Sequence, residues 1–339
     1  MLYLKTLNPN EQNTIEKLFQ LPQSSMMKVM RDYLKMKYNN IVATKDYIVA
    51  IGDTPIALVA HADTVFKQLP THIFYDKEKN VMISPEGLGA DDRAGIFAIV
   101  TLLKSEYRPT IIITTDEEKG GLGAQALVRH MPNPPTELKY IIQLDRQGST
   151  DCVFYNCDNS DFEEYVETFG FLTNFGSFSD ISIICPAWKI AGVNLSIGYY
   201  DEHTKSETLY IGQMFSTINK VRLMLKDAKT AEFFKYIPSK RKSLWNYYYP
   251  TEDDYDPSYG ISPESWEKYM TARRKCDVCG EYDYDYNMFP VKTKLGKTAY
   301  VCLDCIANEP MVQWCDDCGE AFLDEKENLL CVDCRKKDK

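Results

Sequence analysis

Between residues 8 and 38, apolar side chains recur at three- and four-residue steps through Ile15, Leu18, Phe19, Met27, Val29, Met30 and Leu34, with a break near Pro22. A helix buries such a stripe, so the spacing predicts two opening helices separated at the proline. The pattern then changes to short apolar runs with abrupt polar ends at 48–51, 56–60, 111–115, 141–144 and 193–197. Runs of this length, rich in valine and isoleucine, predict strands buried on both faces. Helical spacing returns between them at 94–104, 123–130 and 161–169. It returns once more over 209–228, where Met214, Ile218, Val221 and Leu225 form one stripe. Strands alternating with helices predict an α/β fold, a three-layer α/β/α sandwich around a mixed, mostly parallel sheet.

Composition agrees with a large core: 44% of the 339 residues are apolar and 26% are charged. Such a chain folds rather than staying disordered, and its length exceeds one average domain. After Ala228 the periodicity stops. Arg241, Lys242, a Tyr247-Tyr248-Tyr249-Pro250 cluster and an acidic stretch at 252–256 follow, and read as a linker or surface-wrapping arm. The expected division is a main α/β domain at 1–228, an arm at 229–275 and a cysteine-rich region at 276–339. With 49 acids against 39 bases, the net charge is -10, which opposes a general attraction to nucleic acid. No apolar run approaches the ~20 residues that span a bilayer, and the opening Met-Leu-Tyr-Leu-Lys turns polar at once, unlike a signal peptide. A cytoplasmic location without membrane contact is the expectation.

Chemistry concentrates where the apolar runs end. The run 56–60 leads into His61-Ala62-Asp63, an imidazole at a strand's carboxyl end, where open α/β sheets place their sites. Taken alone, the H-x-D pattern reads as a structural histidine sooner than as a ligand. Gly89-Ala90-Asp91-Asp92-Arg93-Ala94-Gly95 sets two adjacent carboxylates before an apolar helix, among small residues that let backbone approach a ligand. Read by itself, that pair also suits a helix N-terminus. The run 111–115 ends in Asp116-Glu117-Glu118, three acids that are costly to ionise together without a cation. Asp145 follows the run 141–144, and Tyr200-Asp201-Glu202-His203 follows 193–197. Histidines and carboxylates at successive strand ends are an uncommon coincidence for solvated surface charges. His72 and His130 lack such a setting and read as surface or packing residues.

These residues resemble the co-catalytic zinc exopeptidases: aminopeptidases, peptidase T-like tripeptidases, and related carboxypeptidases and deacylases. The likeness covers roughly residues 8–228 and rests on H-A-D-T-V from His61, G-A-D-D-R-A-G from Gly89 and D-E-E-K-G-G-L-G-A from Asp116, with single-residue support at Asp145 and His203. It implies a peptidase with two catalytic zinc ions, manganese or cobalt being substitutes, and a peptide or N-acyl amino acid as substrate. By the same resemblance Asp91 bridges both metals, His61 and Asp145 complete one site, and Glu118 and His203 complete the other. Glu117 is then the general base and Asp63 orients His61. The Asp91–Asp92 bond is cis in many members.

In such a site two cations ~3.5 to 4 Å apart polarise the scissile carbonyl and acidify a bridging water. Glu117 would accept the proton and pass it to the leaving amine. Asp91 stands 30 positions after His61, and His203 stands 58 after Asp145, which leaves no room for the lid or dimerisation domain of several relatives. An open site is therefore expected, with residues 176–180 resembling a short cleft-lining loop. N-acyl amino acid deacylation is the alternative enzymatic reading. A non-catalytic binding protein on a hydrolase scaffold is the alternative of another class.

Eight of the 11 cysteines form four C-x-x-C pairs: Cys276 and Cys279, Cys302 and Cys305, Cys315 and Cys318, Cys331 and Cys334. Spacers of 22 residues in the first set and 12 in the second suit two tetracysteine zinc ribbons in a reducing compartment, adjacent pairs joining. A crossed pairing stays open, as do redox dithiols or an iron–sulfur cluster. Residues 276–339 carry 8 bases against 14 acids, so a protein partner or folding support is expected of this tail rather than nucleic acid, Arg335, Lys336 and Lys337 being its small basic end. Cys152, Cys157 and Cys185 stand apart and read as small apolar core residues.

Overall fold

Asn8 opens the first helix with a capping box: its side chain accepts from the Glu11 amide at 3.0 Å while Glu11 accepts from the Asn8 amide at 3.0 Å. Pro9 fills the first turn, where no amide partner is needed. The computed structural model that places these residues describes 5–239, 273–284, 288–293, 298–302, 305, 312–314 and 321–323. The opening helices are α1 (Pro9–Phe19) and α2 (Gln23–Lys35), split at Pro22 as the spacing predicts. They bury Ile15, Leu18 and Phe19 and, from α2, Met26, Met27, Met30 and Leu34.

The chain continues through β1 (Ile41–Ala43), β2 (Tyr47–Ala50), β3 (Thr54–His61), β4 (Phe74–Asp76), β5 (Val81–Ile83) and α3 (Ala90–Leu102). Next come β6 (Pro109–Thr114), α4 (Leu122–His130), β7 (Tyr140–Arg146), β8 (Asp151–Val153), α5 (Ser160–Glu167) and β9 (Leu172–Thr173). The last elements of this region are α6 (Ile181–Trp188), β10 (Gly192–Ser196), β11 (Tyr199–Tyr200), β12 (Thr208–Tyr210) and α7 (Ile211–Asp227). The main sheet has the order β1-β2-β6-β3-β7-β10-β8-β9. Its centre, β6, β3, β7 and β10, is parallel, while β1, β2 and β8 run antiparallel to their inner neighbours. The sheet is mixed and mostly parallel at its core.

Strand alternation divides the apolar side chains between two faces. Ile56, Leu58 and Ala60 of β3 join Ile111 and Ile113 of β6 in one core with α1, α2, α3, α5 and α7. Ala57 and Val59 join Ile112 on the other face, under α4 and α6. This is the three-layer α/β/α sandwich. Ile111, Ile112 and Ile113 have no exposed surface, and truncating any of them to alanine costs about 2–5 kcal/mol. Helix α3 is buried nearly all round. Its Gly95 permits this, because a Cβ there would lie 2.4 Å from the Leu144 carbonyl oxygen.

Three features depart from the apolar pattern. A second sheet, β11-β12-β5-β4, pairs short half-exposed strands, and β12 takes the first residues of the expected closing helix. Helix α6 went unpredicted because Ile181, Ile183 and Ile184 are β-branched and Pro186 lies inside it. Residues 229–239 also belong to the first unit. Phe234 exchanges backbone hydrogen bonds with Lys139 and Ala191, and its ring packs 4.9 Å from that of Phe162.

The chain divides into two units, Met1–Lys240 and Arg241–Lys339. Within the second, Arg273–Lys275 pairs antiparallel with Tyr282–Tyr284. Met288–Thr293 lies between Thr298–Cys302 and Ala321–Leu323, which also pairs with Val312–Trp314. The tyrosine cluster at 247–249, the neighbouring basic and acidic residues of the expected arm, Cys315, Cys318, Cys331, Cys334 and the basic end lie outside the described residues. Among the described residues no helix is long and apolar enough to cross a membrane. Cys152, Cys157 and Cys185 are buried and in no disulfide, with burial raising each thiol's pKa.

Candidate metal centre

The four central strands are parallel, so their carboxyl ends share one edge of the sheet, and the polar residues identified from sequence gather there. His61 is the last residue of β3 and is fully buried. Two positions on, Asp63 Oδ1 lies 3.2 Å from His61 Nδ1. The same carboxylate accepts the Glu117 amide on Oδ1 and the Glu118 amide on Oδ2, each at 3.1 Å. Asp63 therefore fixes the ring of His61 and the turn after β6 together. With Nδ1 engaged, the ring presents Nε2 to the centre.

Asp91 occupies the middle. Its Oδ1 is 3.1 Å from His61 Nε2 and its Oδ2 is 3.1 Å from His203 Nε2. Asp145 Oδ1 stands 3.4 Å from His61 Nε2, and Glu118 Oε1 stands 3.0 Å from His203 Nε2. Ligand atoms of Asp91, Glu118 and His203 lie within 4.8 Å of one another, as do those of His61, Glu117 and Glu118. A third such group joins His61 and Asp145 with Asp92. Asp92 is otherwise occupied: Oδ2 accepts the His61 amide and Oδ1 accepts the Gly95 amide, both at 3.1 Å, so it caps α3 and anchors β3. The Asp91–Asp92 peptide is cis.

Several supporting residues carried no sequence signal. Buried Glu207 accepts the amides of Gly89 and Asp91, fixing the turn that carries the central carboxylate. Gly89 has φ 68°, a conformation that favours glycine. Asp145 receives Gln143 Nε2 at 3.0 Å, Ser179 Oγ at 3.1 Å and the Tyr199 hydroxyl at 3.3 Å, while its amide donates to Asn194 Oδ1. Asp180, fully buried, accepts from Thr114 Oγ1. Gln143 precedes Asp145 by two residues and Ser179 and Asp180 end the segment 176–180, but Glu207, Asn194 and Tyr199 come from distant points of the chain, where no local spacing reveals them.

So many acids in one dry place interact strongly. Burial, together with nearby Asp145, Asp180 and Asp91, outweighs His61 and pushes Glu117 up to about 9. Burial and the charge of Asp91 raise Asp145 to about 8. Hydrogen bonds to Asp91 and Glu118 lift His203 to about 11. His61 also rises well above its ordinary value, because Asp145, Asp63 and Asp91 overcome the cost of burial. Asp91 moves the other way: burial opposes its charge, but His203 and His61 hold it below the usual carboxylate range. Excess carboxylate with two imidazole Nε2 atoms turned inward is a donor set that fits divalent cations. His72 and His130 take no part. One pairs with Glu86 at the surface and the other packs on Tyr47.

The cluster forms the wall of a cleft of about 280 Å³, lined also by Arg146, Tyr155, Phe178 and Glu202. Gly176 and Ser177 of the loop before α6 border it too. His203 keeps 49% of its side chain exposed, so the centre opens to solvent on that side.

In the second unit Cys276, Cys279 and Cys305 bring their sulfurs within 4.8 Å of one another. Cys276 and Cys305 are buried and Cys279 is exposed, while Cys302 ends a strand three residues before Cys305. The first two C-x-x-C pairs are thus neighbours in space. The Val278 amide points at Cys276 Sγ, 3.4 Å away, as in a tight knuckle.

No family model matches the chain, and no curated protein matches its sequence. Solved structures do. The aminopeptidase PepT from Bacillus cereus is 15% identical with a TM-score of 0.51, the match covering 65% of this chain and 98% of that one. A tripeptidase from Staphylococcus aureus is 14% identical with a TM-score of 0.54, covering 67% of this chain and all of its own. What this chain shares with both is the fold, a mixed α/β architecture with helices over a mostly parallel central sheet.

Proposed function

We propose that this chain is a two-metal hydrolase cleaving amide bonds of small peptides, as an aminopeptidase or small peptidase, with Glu117 as general base. The observation that carries this reading is Asp91, whose two oxygens each stand 3.1 Å from a different imidazole nitrogen. A carboxylate so placed suits a bridging ligand. His61 and Asp145 then complete one metal position, and Glu118 and His203 the other. Zinc suits these mixed donors, and manganese or cobalt could replace it. The fold shared with an aminopeptidase and a tripeptidase supports the same reading.

Bound there, a pair of divalent cations supplies Lewis acidity, polarising the scissile carbonyl and acidifying the attacking water. Glu117 lies on the cleft wall, where a carboxylate can take a proton from the attacking water and return it to the leaving amine as the C–N bond breaks. Asp63 positions His61 and the backbone of Glu117 and Glu118 rather than reacting itself. N-acyl amino acid deacylation uses the same residues, and a substrate panel separates the two activities.

The cysteine cluster is a second, different site in this proposal. Cys276, Cys279, Cys302 and Cys305 hold one structural zinc ion by adjacent pairing, and Cys315, Cys318, Cys331 and Cys334 hold another. Such sites support folding or a protein contact, and suit a reducing, cytoplasmic setting. The test of the main reading is hydrolysis of a peptide and N-acyl amino acid library followed by mass spectrometry. Glu117→Ala should keep its metal and lose about 10²–10⁴-fold in turnover. Undiminished turnover by that variant would remove Glu117 as base.

A further inference from the structure

Five of the described residues lining the cleft are carboxylates: Asp91, Glu117, Glu118, Asp145 and Glu202. Arg146 is the only lysine or arginine among them. Its side chain is 17% exposed, yet its nearest acidic partner, Asp151 Oδ2, stands 3.8 Å from Nη2. Its Nε is buried with no hydrogen-bond partner. A guanidinium prefers two parallel hydrogen bonds to one carboxylate, and burying it without them is costly. The backbone holds the residue in place: the Ile197 amide donates to the Arg146 carbonyl at 2.9 Å, at the end of β7. A cation fixed beside an acidic cluster, yet left short of partners, has unused capacity for an anion.

We infer that Arg146 is a specificity-determining residue that binds a substrate carboxylate within the cleft, deepening the hydrolase reading above and resting on it. Arg146 follows Asp145 directly, and a peptide advances at most ~3.3–3.6 Å per residue. The recognised carboxylate therefore lies one or two residues from the scissile bond. A cleft of about 280 Å³ is small even beside the ~300–1,000 Å³ of ordinary ligand pockets, which favours short substrates. The C-terminal carboxylate of a di- or tripeptide meets both conditions. An acidic side chain next to the scissile bond offers the same chemistry from another source.

Binding measured without turnover tests this separately from hydrolysis. The full-length, zinc-loaded Glu117→Gln variant is titrated calorimetrically with trialanine, trialanine amide and Ala-Glu-Ala amide. The expected result is at least about tenfold tighter binding of trialanine than of its amide, as suits a hydrogen-bonded charge pair. Adding Arg146→Met should abolish that preference, and Arg146→Lys should restore part of it, with zinc content and melting temperature showing that both variants fold. Ala-Glu-Ala amide binding as well as trialanine would assign recognition to an acidic side chain and still support Arg146. Equal binding of all three probes, or binding too weak to detect for all, would overturn the inference. So would a preference that survives Arg146→Met, since the carboxylate would then sit on the metals. Failure of the parent enzyme to cleave any amide would count against the hydrolase reading alone.

Discussion

The two candidate metal centres of this chain are built on opposite plans. The cluster around Asp91 draws oxygen and imidazole donors from the ends of β3 and β7, the start of α3 and the turns after β6 and β11, scattered from His61 to His203, and opens into a cleft. Among the described residues the cysteine cluster uses one donor type, the sulfurs of Cys276, Cys279 and Cys305. Hard and borderline donors around an open cleft suit chemistry on a substrate, whereas thiolates close around a metal and hold a small fold together. The first centre depends on a whole sheet for its geometry. The second depends mainly on spacing along the chain.

That contrast predicts unequal consequences when each centre is perturbed. Asp91→Asn should have the largest effect. It removes the carboxylate facing both imidazoles, so both metals of the first unit should be lost and hydrolysis should fall to the level of Glu117→Ala. Metal analysis would then retain only the cysteine-bound zinc, and retention of both catalytic equivalents would argue against a bridge.

Acidity should come next. Without metal, Asp145 and His203 are raised to about 8 and about 11, so the folded protein holds more protons at this centre than the unfolded chain does. Linkage then requires metal-free stability to decrease as pH rises from about 4 towards 8 and beyond. Metal binding must expel those protons, so its apparent affinity should strengthen by about tenfold per pH unit for each proton displaced over that range. Metal titrations at pH 6, 7 and 8 check the sign.

Glu207→Gln should act more gently, weakening metal binding by about 10–100-fold by loosening the turn that presents Asp91. A competition assay with a chelating dye reads this directly. Cys279→Ser should be the smallest in activity. One zinc equivalent disappears while hydrolysis by the first unit stays within about twofold, unless the tail supports the catalytic unit, in which case both fall together.

Much of this architecture was legible before the fold was known, for reasons of local physics. Ile111 to Ile113 are β-branched and contiguous, and such a run suits a strand buried on both faces. Acids directly after it, at Asp116, Glu117 and Glu118, mark the end of that strand as a site because uncompensated burial of three charges is unfavourable. The second sheet was invisible, because its strands of two or three half-exposed residues carry no period. Helix α6 was hidden by its proline and β-branched residues.

The sequence alone determined the order of the long helices and the buried strands, the strand ends that bear donors and the paired cysteines, since each depends on residues within a few positions of one another. Only tertiary structure decided which oxygen of Asp91 faces which histidine, and that Asp63 serves both His61 and Glu117. It also decided that Glu207 anchors a turn 116 residues earlier, and that Arg146 lines the cleft with its Nε buried and without a hydrogen-bond partner. Those relations depend on the register of parallel strands and the packing of helices against them, which bring together side chains that no local pattern connects.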